Sequence, residues 1–135
     1  MADDLLNLGY AVMAAQPFSV LLGTRLVVLA EGRAELVLPL KPEFGQQAGY
    51  VHGGVISYLA DNALTFAGGS VLGPDVLTAE FKLNYLKPGQ GETLTARACV
   101  ISFSKRQAVC RCDVFAGHAG QEYLCATALG TIVMR

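Results

Sequence analysis

Apolar positions dominate one stretch of the chain, Val55–Ala67. The stretch contains neither Gly nor Pro and is rich in Ala and Leu, so it predicts a helix that is apolar on almost every side. A helix of this kind is typically wrapped by the rest of its domain. Ser57, Asp61 and Thr65 recur every four residues and so form a narrow polar stripe along it. Because an unpaired buried carboxylate is costly, Asp61 indicates that the stripe forms the wall of a site.

Shorter elements precede the central helix. Residues 3–15 predict a short amphipathic helix that ends before Pro17. The segments Phe18–Leu29 and Ala34–Leu40 are rich in Val and Leu and are joined by a turn at 31–33. This pattern predicts two antiparallel strands.

Strand patterns fill the chain after the central helix. Gly68-Gly69 and residues 73–75 predict an irregular connection. Four strands are then expected at Val76–Leu86, Thr93–Phe103, Arg106–Phe115 and Tyr123–Val133. Two strands, one buried helix and four more strands predict an α+β fold, in which a six-stranded antiparallel sheet curls around one helix. We find no repeat or boundary, so residues 1–135 are expected to form a single domain.

Composition excludes several classes of function. A hydrophobic content of 53% with 16% charged residues excludes disorder, and this apolar surplus suggests that a second copy covers part of the surface. A net charge of −1 gives no basic field for nucleic acid. No apolar run reaches the roughly 18 residues of a membrane span. Because the N-terminal residues are acidic where a secretory signal is basic, we expect a cytoplasmic protein.

Cysteine and histidine spacing gives no sign of a metal site. The chain has 4 Cys and 2 His, without a CxxC pair and with neither His at ligand spacing from a Cys. We therefore expect reduced thiols that pack as small hydrophobic groups, and we expect neither a metal nor a cofactor.

Two adjacent motifs resemble a known family. HGGVISYLADNALTFA, followed by TAEFKLNYLKPG, is similar to the hotdog-fold acyl-CoA thioesterases, in the group that includes the phenylacetate-pathway and 4-hydroxybenzoyl-CoA enzymes. The most specific features are the nine-residue step from His52 to Asp61 and the Tyr85–Pro88 ending of the next strand. The resemblance runs from about Phe18 to the C-terminus. It implies an acyl-CoA substrate with an aryl or medium-chain acyl group, and homodimers that assemble into a homotetramer.

The resemblance also implies roles for individual residues. Asp61 corresponds to the family's nucleophile or general base, and the Gly53 N–H to the group that polarises the thioester carbonyl. Gln46 corresponds to an amide side chain near the thioester oxygen. Thr65 is the hydroxyl one turn after the acid, and Thr78 the hydroxyl that some members carry on the next strand.

Further candidate residues have weaker support. Gly53-Gly54 at the helix start would offer unpaired N–H donors to an oxyanion. His52 either takes part in the chemistry or orients the helix start. Four cations either bind the CoA phosphates or are ordinary surface charges: Lys105 and Arg106 in a turn between strands, and Lys82 and Lys87 on or after the strand that bears Thr78.

The spacing of the proposed groups bears on how many chains form the site. Gly53 and Asp61 are eight residues apart, which on one helix is about 12 Å and roughly 80° out of phase. We therefore expect a site between two antiparallel helices of paired subunits. Two alternatives remain open, namely a structural role for Asp61 and a non-catalytic acyl-CoA binding or sensing module on the same fold.

Overall fold

The computed structural model describes residues 2–135 of the protein. Its helices are α1 (Ala2–Ala14), α2 (Pro17–Leu22) and α3 (Gly53–Leu72), with a short 3₁₀ turn at Pro42–Phe44. Its strands are β1 (Arg25–Ala30), β2 (Arg33–Pro39), β3 (Val76–Tyr85), β4 (Thr93–Phe103), β5 (Gln107–His118) and β6 (Gln121–Met134).

The six strands form one antiparallel sheet in the order β1-β2-β4-β5-β6-β3. Helix α3 contacts every strand of this sheet, and its residues Leu59, Ala60, Ala63 and Leu64 are fully buried. Small side chains lie under the helix on the strands, among them Ala96, Ala108, Ala116, Cys110 and Cys112. They allow the sheet to curl closely around α3. The predicted sheet around one buried helix is therefore confirmed.

The prediction of a strand from Phe18 was wrong at its start. Residues 17–22 form helix α2, and β1 begins at Arg25. Pro17 occupies the first turn of α2, where a missing N–H costs nothing, and Gly23 ends the helix with a positive φ of 87°. These two signals outweigh the β-propensity of the Val and Leu residues between them. The helix places Ser19 in the interior, where it is 1% exposed.

The predicted break at Gly68-Gly69 was also wrong, because α3 continues through both residues to Leu72. Gly68 is buried against β6, and a Cβ atom on it would lie 2.6 Å from Cβ of Ile132. Glycine is therefore required at position 68 by close packing and not by a turn. Gly69 is different, since its Cβ would meet Val76 at an ordinary 3.5 Å.

The cysteines follow the prediction with one exception. Cys110, Cys112 and Cys125 are buried free thiols, while Cys99 is exposed. Burial raises the pKa of Cys110 and of Cys125 to about 11, and it raises the pKa of Cys112 as well. The three buried thiols are therefore protonated at neutral pH and pack as small apolar groups.

No helix within residues 2–135 is long and apolar enough to cross a membrane. No group of three or more His, Cys, Asp or Glu side chains in the same range is placed to hold a metal ion.

The contrast between the two glycines of α3 gives a stability test. We expect Gly68→Ala to lower the free energy of unfolding by about 1–3 kcal/mol, because the added methyl group overpacks the contact with Ile132. Gly69→Ala is the matched control and should be neutral or stabilising by up to about 1 kcal/mol, since alanine favours the helix. Urea unfolding measures both. Equal effects of the two substitutions would contradict the packing argument.

Candidate functional site

The Asp61 carboxylate is half-buried on α3 and is held by the neighbouring strand. Thr78 on β3 donates a hydrogen bond of 2.6 Å to Oδ1 of Asp61. Thr65 lies one turn further along α3, 2.8 Å from the Thr78 hydroxyl and 2.9 Å from the Asp61 carbonyl oxygen. Because each hydroxyl has one proton, Thr78 gives its proton to the carboxylate, and Thr65 donates to one of its two neighbours. Within residues 2–135, Oδ2 of Asp61 accepts no hydrogen bond.

A β-bulge lies beside Thr78. Thr78 pairs with Ile132 and Glu80 pairs with Thr131, so Ala79 is the extra residue of β3. A bulge locally changes the direction and twist of its strand. It lies at the point where β3 presents Thr78 to the Asp61 carboxylate, and the alternating pattern of the sequence gave no sign of it.

Four polar side chains form a network next to Asp61. Ser19 donates to Oε1 of Gln16 at 2.6 Å and lies 2.6 Å from the Tyr58 hydroxyl. The amide of Asn62 donates to Gln16 and Ser19, each at 3.1 Å. Sequence patterns indicated no role for Gln16 or Ser19, and they offered Tyr58 only as a pocket or core aromatic residue, because these side chains meet only when α2 packs on α3.

These groups border a cavity of about 410 Å³, which we call the Asp61 cavity. It is lined by Ala15, Gln16, Pro17, Phe18, Ser19, Tyr58, Asp61, Asn62, Thr65 and Thr78. Three of the predicted site residues, Asp61, Thr65 and Thr78, are therefore brought together. Ser57, the first residue of the predicted polar stripe, is half-buried but does not line this cavity.

The N-terminus of α3 has one free donor. His52 is the N-cap residue, and its Nδ1 accepts the Gly54 N–H at 2.9 Å, so the ring proton lies on Nε2. Val55 donates to the His52 carbonyl, whereas the Gly53 N–H donates no hydrogen bond within residues 2–135. The contacts of His52 are those of a residue that orients the helix start. They leave Gly53, and not Gly54, with an N–H available to a ligand.

Tyr85 packs directly on this glycine. Its hydroxyl donates to the Gly53 carbonyl at 2.8 Å, and a Cβ atom on Gly53 would lie 3.1 Å from the same hydroxyl oxygen. Gln46 lies nearby, and its Oε1 accepts from the N–H groups of Ala48 and Tyr50. The Gln46 NH₂ group is therefore the part of this side chain that can still donate to a ligand.

Gly53 and Gln46 belong to a second cavity, of about 330 Å³, which we call the Gly53 cavity. It is lined by Gln46, Tyr50, Val51, Gly53, Ile56, Tyr85, Leu86, Lys87, Pro88 and Gly89. No residue lines both the Gly53 cavity and the Asp61 cavity. A single chain therefore presents the predicted attacking group and the predicted oxyanion donors on separate surfaces.

Of the predicted phosphate ligands, only Lys87 lines one of these two cavities. Lys105 and Arg106 are exposed in the connection between β4 and β5 and line neither cavity. Lys87 is the one cation that lines the Gly53 cavity.

A six-stranded antiparallel sheet wrapped around one long helix is the hotdog fold found in thioesterases. The sequence profile of the thioesterase superfamily matches residues 48–123, a range that contains Gly53, Asp61, Thr65 and Thr78. The chain therefore belongs to the thioesterase superfamily, and it is a thioester hydrolase.

Individual relatives agree with this assignment. A thioesterase family protein from Silicibacter pomeroyi superposes with a TM-score of 0.88 at 34% identity, over 92% of this chain and 93% of that one. A 1,4-dihydroxy-2-naphthoyl-CoA hydrolase from Listeria monocytogenes is 31% identical over 86 residues, which is 62% of this chain and 70% of that protein. The E. coli PaaI protein from the phenylacetic acid degradation operon shares the fold, with a TM-score of 0.88 at 21% identity over 99% of this chain and 95% of that one.

Proposed function

We propose that the protein hydrolyses an aryl- or medium-chain acyl-CoA to the free acid and CoA. In this proposal Asp61 is either the nucleophile or the general base that activates the attacking water. One observation carries this proposal. The Asp61 carboxylate is half-buried at the wall of a cavity, with one oxygen fixed by Thr78 and the other without a protein partner. The free oxygen can therefore attack a ligand bound in this cavity or take a proton from water there. The CoA hydrolase from Listeria monocytogenes supports the choice of a CoA thioester.

The reaction needs an attacking oxygen and a stabilised oxyanion. In the general-base form, Asp61 takes a proton from water while the water oxygen bonds to the thioester carbon. In the nucleophilic form, the carboxylate oxygen itself makes that bond, and water later releases the acid. In both forms the C–S bond breaks, and the CoA sulfur leaves and takes up a proton. The Gly53 N–H and the Gln46 NH₂ would donate to the oxyanion.

We propose further that two chains build each site. Gly53 and Asp61 lie on one unbroken helix about 12 Å apart, and they line different cavities. One chain therefore cannot place both groups around a single thioester carbon. A second copy with its α3 antiparallel to the first would bring the Gly53 cavity of one chain against the Asp61 cavity of the other. Such a two-fold arrangement forms two equivalent sites, and pairs of dimers would then form the expected homotetramer.

The CoA phosphates need cations. Lys87 is well placed, because it lines the same cavity as Gly53. Lys105 and Arg106 lie away from both cavities of the same chain. They remain predicted phosphate ligands, which would act only if the assembly brings them to the site of another chain.

Removal of the Asp61 charge tests the chemistry. We expect Asp61→Asn to lower kcat by about 10²–10⁴-fold while acyl-CoA still binds, because an amide can neither attack nor accept the proton of water. A thiol-release assay over a panel of acyl-CoAs measures turnover, and calorimetry measures binding. Asp75→Asn is the matched control, since Asp75 is an exposed carboxylate paired with Arg135. An Asp61→Asn variant with undiminished turnover would refute the mechanism, and binding without turnover in the unsubstituted protein would favour the sensing module.

The oxyanion donor can be deleted separately. Gly53→Pro removes the free N–H at the first helical position, where proline is well tolerated, and the extended backbone of His52 (φ −58°, ψ 131°) suits a residue before proline. We expect kcat to fall by about 10²–10³-fold. Gly53→Ala keeps the N–H but adds the same Cβ contact with Tyr85, so it is the steric control. If both variants lose the same activity, the steric contact and not the N–H is responsible.

Mixed dimers test the shared site. A dimer of one Asp61→Asn chain and one Gly53→Pro chain would have one site with both defects and one intact site. Because half of the randomly assembled dimers are mixed, refolding the two variants together in equal amounts should restore about a quarter of the original activity. Each variant refolded alone is the control. A mixture no more active than these controls would show that each chain builds its own site.

A further inference from the structure

The proposed mechanism leaves several cavities unused, and one of them has no charged side chain in its walls. It lies between α1, the C-terminal half of α3 and the start of β3, and it has a volume of about 210 Å³. We call it the α1 cavity. Its walls are Leu5, Leu8, Gly9, Val12, Gln16, Leu29, Thr65, Phe66, Gly69, Ser70, Gly73, Pro74 and Val76.

The α1 cavity adjoins the Asp61 cavity. Gln16 and Thr65 line both of them. Thr65 is also the hydroxyl next to Thr78, which holds the Asp61 carboxylate. One end of a group bound in the α1 cavity would therefore lie beside the Asp61 carboxylate, where the proposed reaction takes place.

The walls of this cavity determine what it can hold. None of its lining side chains carries a charge. The hydroxyl of Ser70 is already satisfied, since it accepts from Gly32 at 2.8 Å and donates to the Ala67 carbonyl at 2.6 Å. Oε1 of Gln16 is likewise satisfied by Ser19 and Asn62. A charged group placed here would lose its hydration and could gain only neutral partners, such as the Gln16 NH₂ group, whereas an apolar group would be stabilised.

The volume limits the size of the guest. An apolar cavity of about 150 Å³ is large enough to bind benzene. At about 210 Å³, the α1 cavity has room for a phenyl ring with a short linker or for an alkyl chain of similar bulk. It is too small for a long fatty acyl chain to enter fully.

We propose that the α1 cavity is the acyl subsite of this enzyme. It would take the uncharged apolar acyl group of a CoA thioester, a phenylacetyl-like or medium alkyl group, and reject acyl groups that end in a carboxylate. Helix α1 would then set the specificity of a reaction carried out on α3. This inference rests on the proposed acyl-CoA thioesterase function.

A filled cavity should change substrate preference. The test is to compare kcat/KM for acetyl-CoA, phenylacetyl-CoA, octanoyl-CoA and succinyl-CoA in the unsubstituted protein and in two variants. Val12→Phe places a phenyl group in the cavity, and Ala11→Phe places the same group on the adjacent exposed position of α1, outside the cavity. We expect the unsubstituted protein to favour phenylacetyl-CoA or octanoyl-CoA over both acetyl-CoA and succinyl-CoA. Val12→Phe should lower the ratio of kcat/KM for a bulky acyl-CoA to kcat/KM for acetyl-CoA by about 10–100-fold. Ala11→Phe should leave this ratio unchanged.

Other outcomes would overturn the inference. If Val12→Phe hydrolyses the panel with the original ratios, or if succinyl-CoA reacts as well as octanoyl-CoA, the α1 cavity is not the acyl subsite, although the thioesterase proposal stands. If the unsubstituted protein hydrolyses none of the four, the proposed function itself fails. Thermal melting shows whether Val12→Phe folds. If it does not, Val12→Ala provides the test, since an enlarged cavity should shift the preference towards longer acyl groups and an unchanged preference would refute the subsite.

Discussion

The burial of α3 is the constraint on which the rest of the structure depends. A 20-residue helix that is apolar on nearly every side is stable only if other elements surround it. The sheet meets this requirement by curling, and it can approach closely because the residues beneath the helix are small. At Gly68 the approach is so close that even a methyl group would collide with Ile132. The position of α3, and with it the position of Asp61, is therefore fixed tightly from the side of the sheet.

Four polar side chains of α3 face the edge strand β3 or helix α2. Asp61 and Thr65 face Thr78 at the edge strand β3, and Tyr58 and Asn62 face the residues of α2. In residues 2–135 no buried side-chain nitrogen or oxygen lacks a hydrogen-bond partner. In the same residues, Oδ2 of Asp61 accepts no hydrogen bond and the Gly53 N–H donates none, so both groups can still bind a ligand.

Periodicity predicted what depends on local pattern. The six strands and the central helix were identifiable because their apolar positions repeat every two residues or cover a whole helix surface. Asp61 was identifiable because a carboxylate is rare in such a helix. Contacts between segments that are distant in sequence could not be predicted from these patterns. The Ser19–Tyr58 contact joins residues 39 positions apart, and the bulge at Ala79 has no marker in its own sequence.

Two glycine signals show the same limit. Gly23 ends α2 with a positive φ, as glycines at helix ends commonly do. Gly68 lies inside α3, where Ile132 leaves no space for a side chain. The sequence alone does not separate these uses, since both are glycines at the end of an apolar run. Only the position of Ile132 decides the second case.

The position of Gln16 has a consequence for how such a protein can diverge. Gln16 lies in the connection between α1 and α2, borders both the Asp61 cavity and the α1 cavity, and hydrogen-bonds to Asn62 on α3. The first sixteen residues also precede the range that matches the superfamily profile. Substitutions in this leading segment can therefore reshape the surroundings of the carboxylate while every residue of the central helix stays the same.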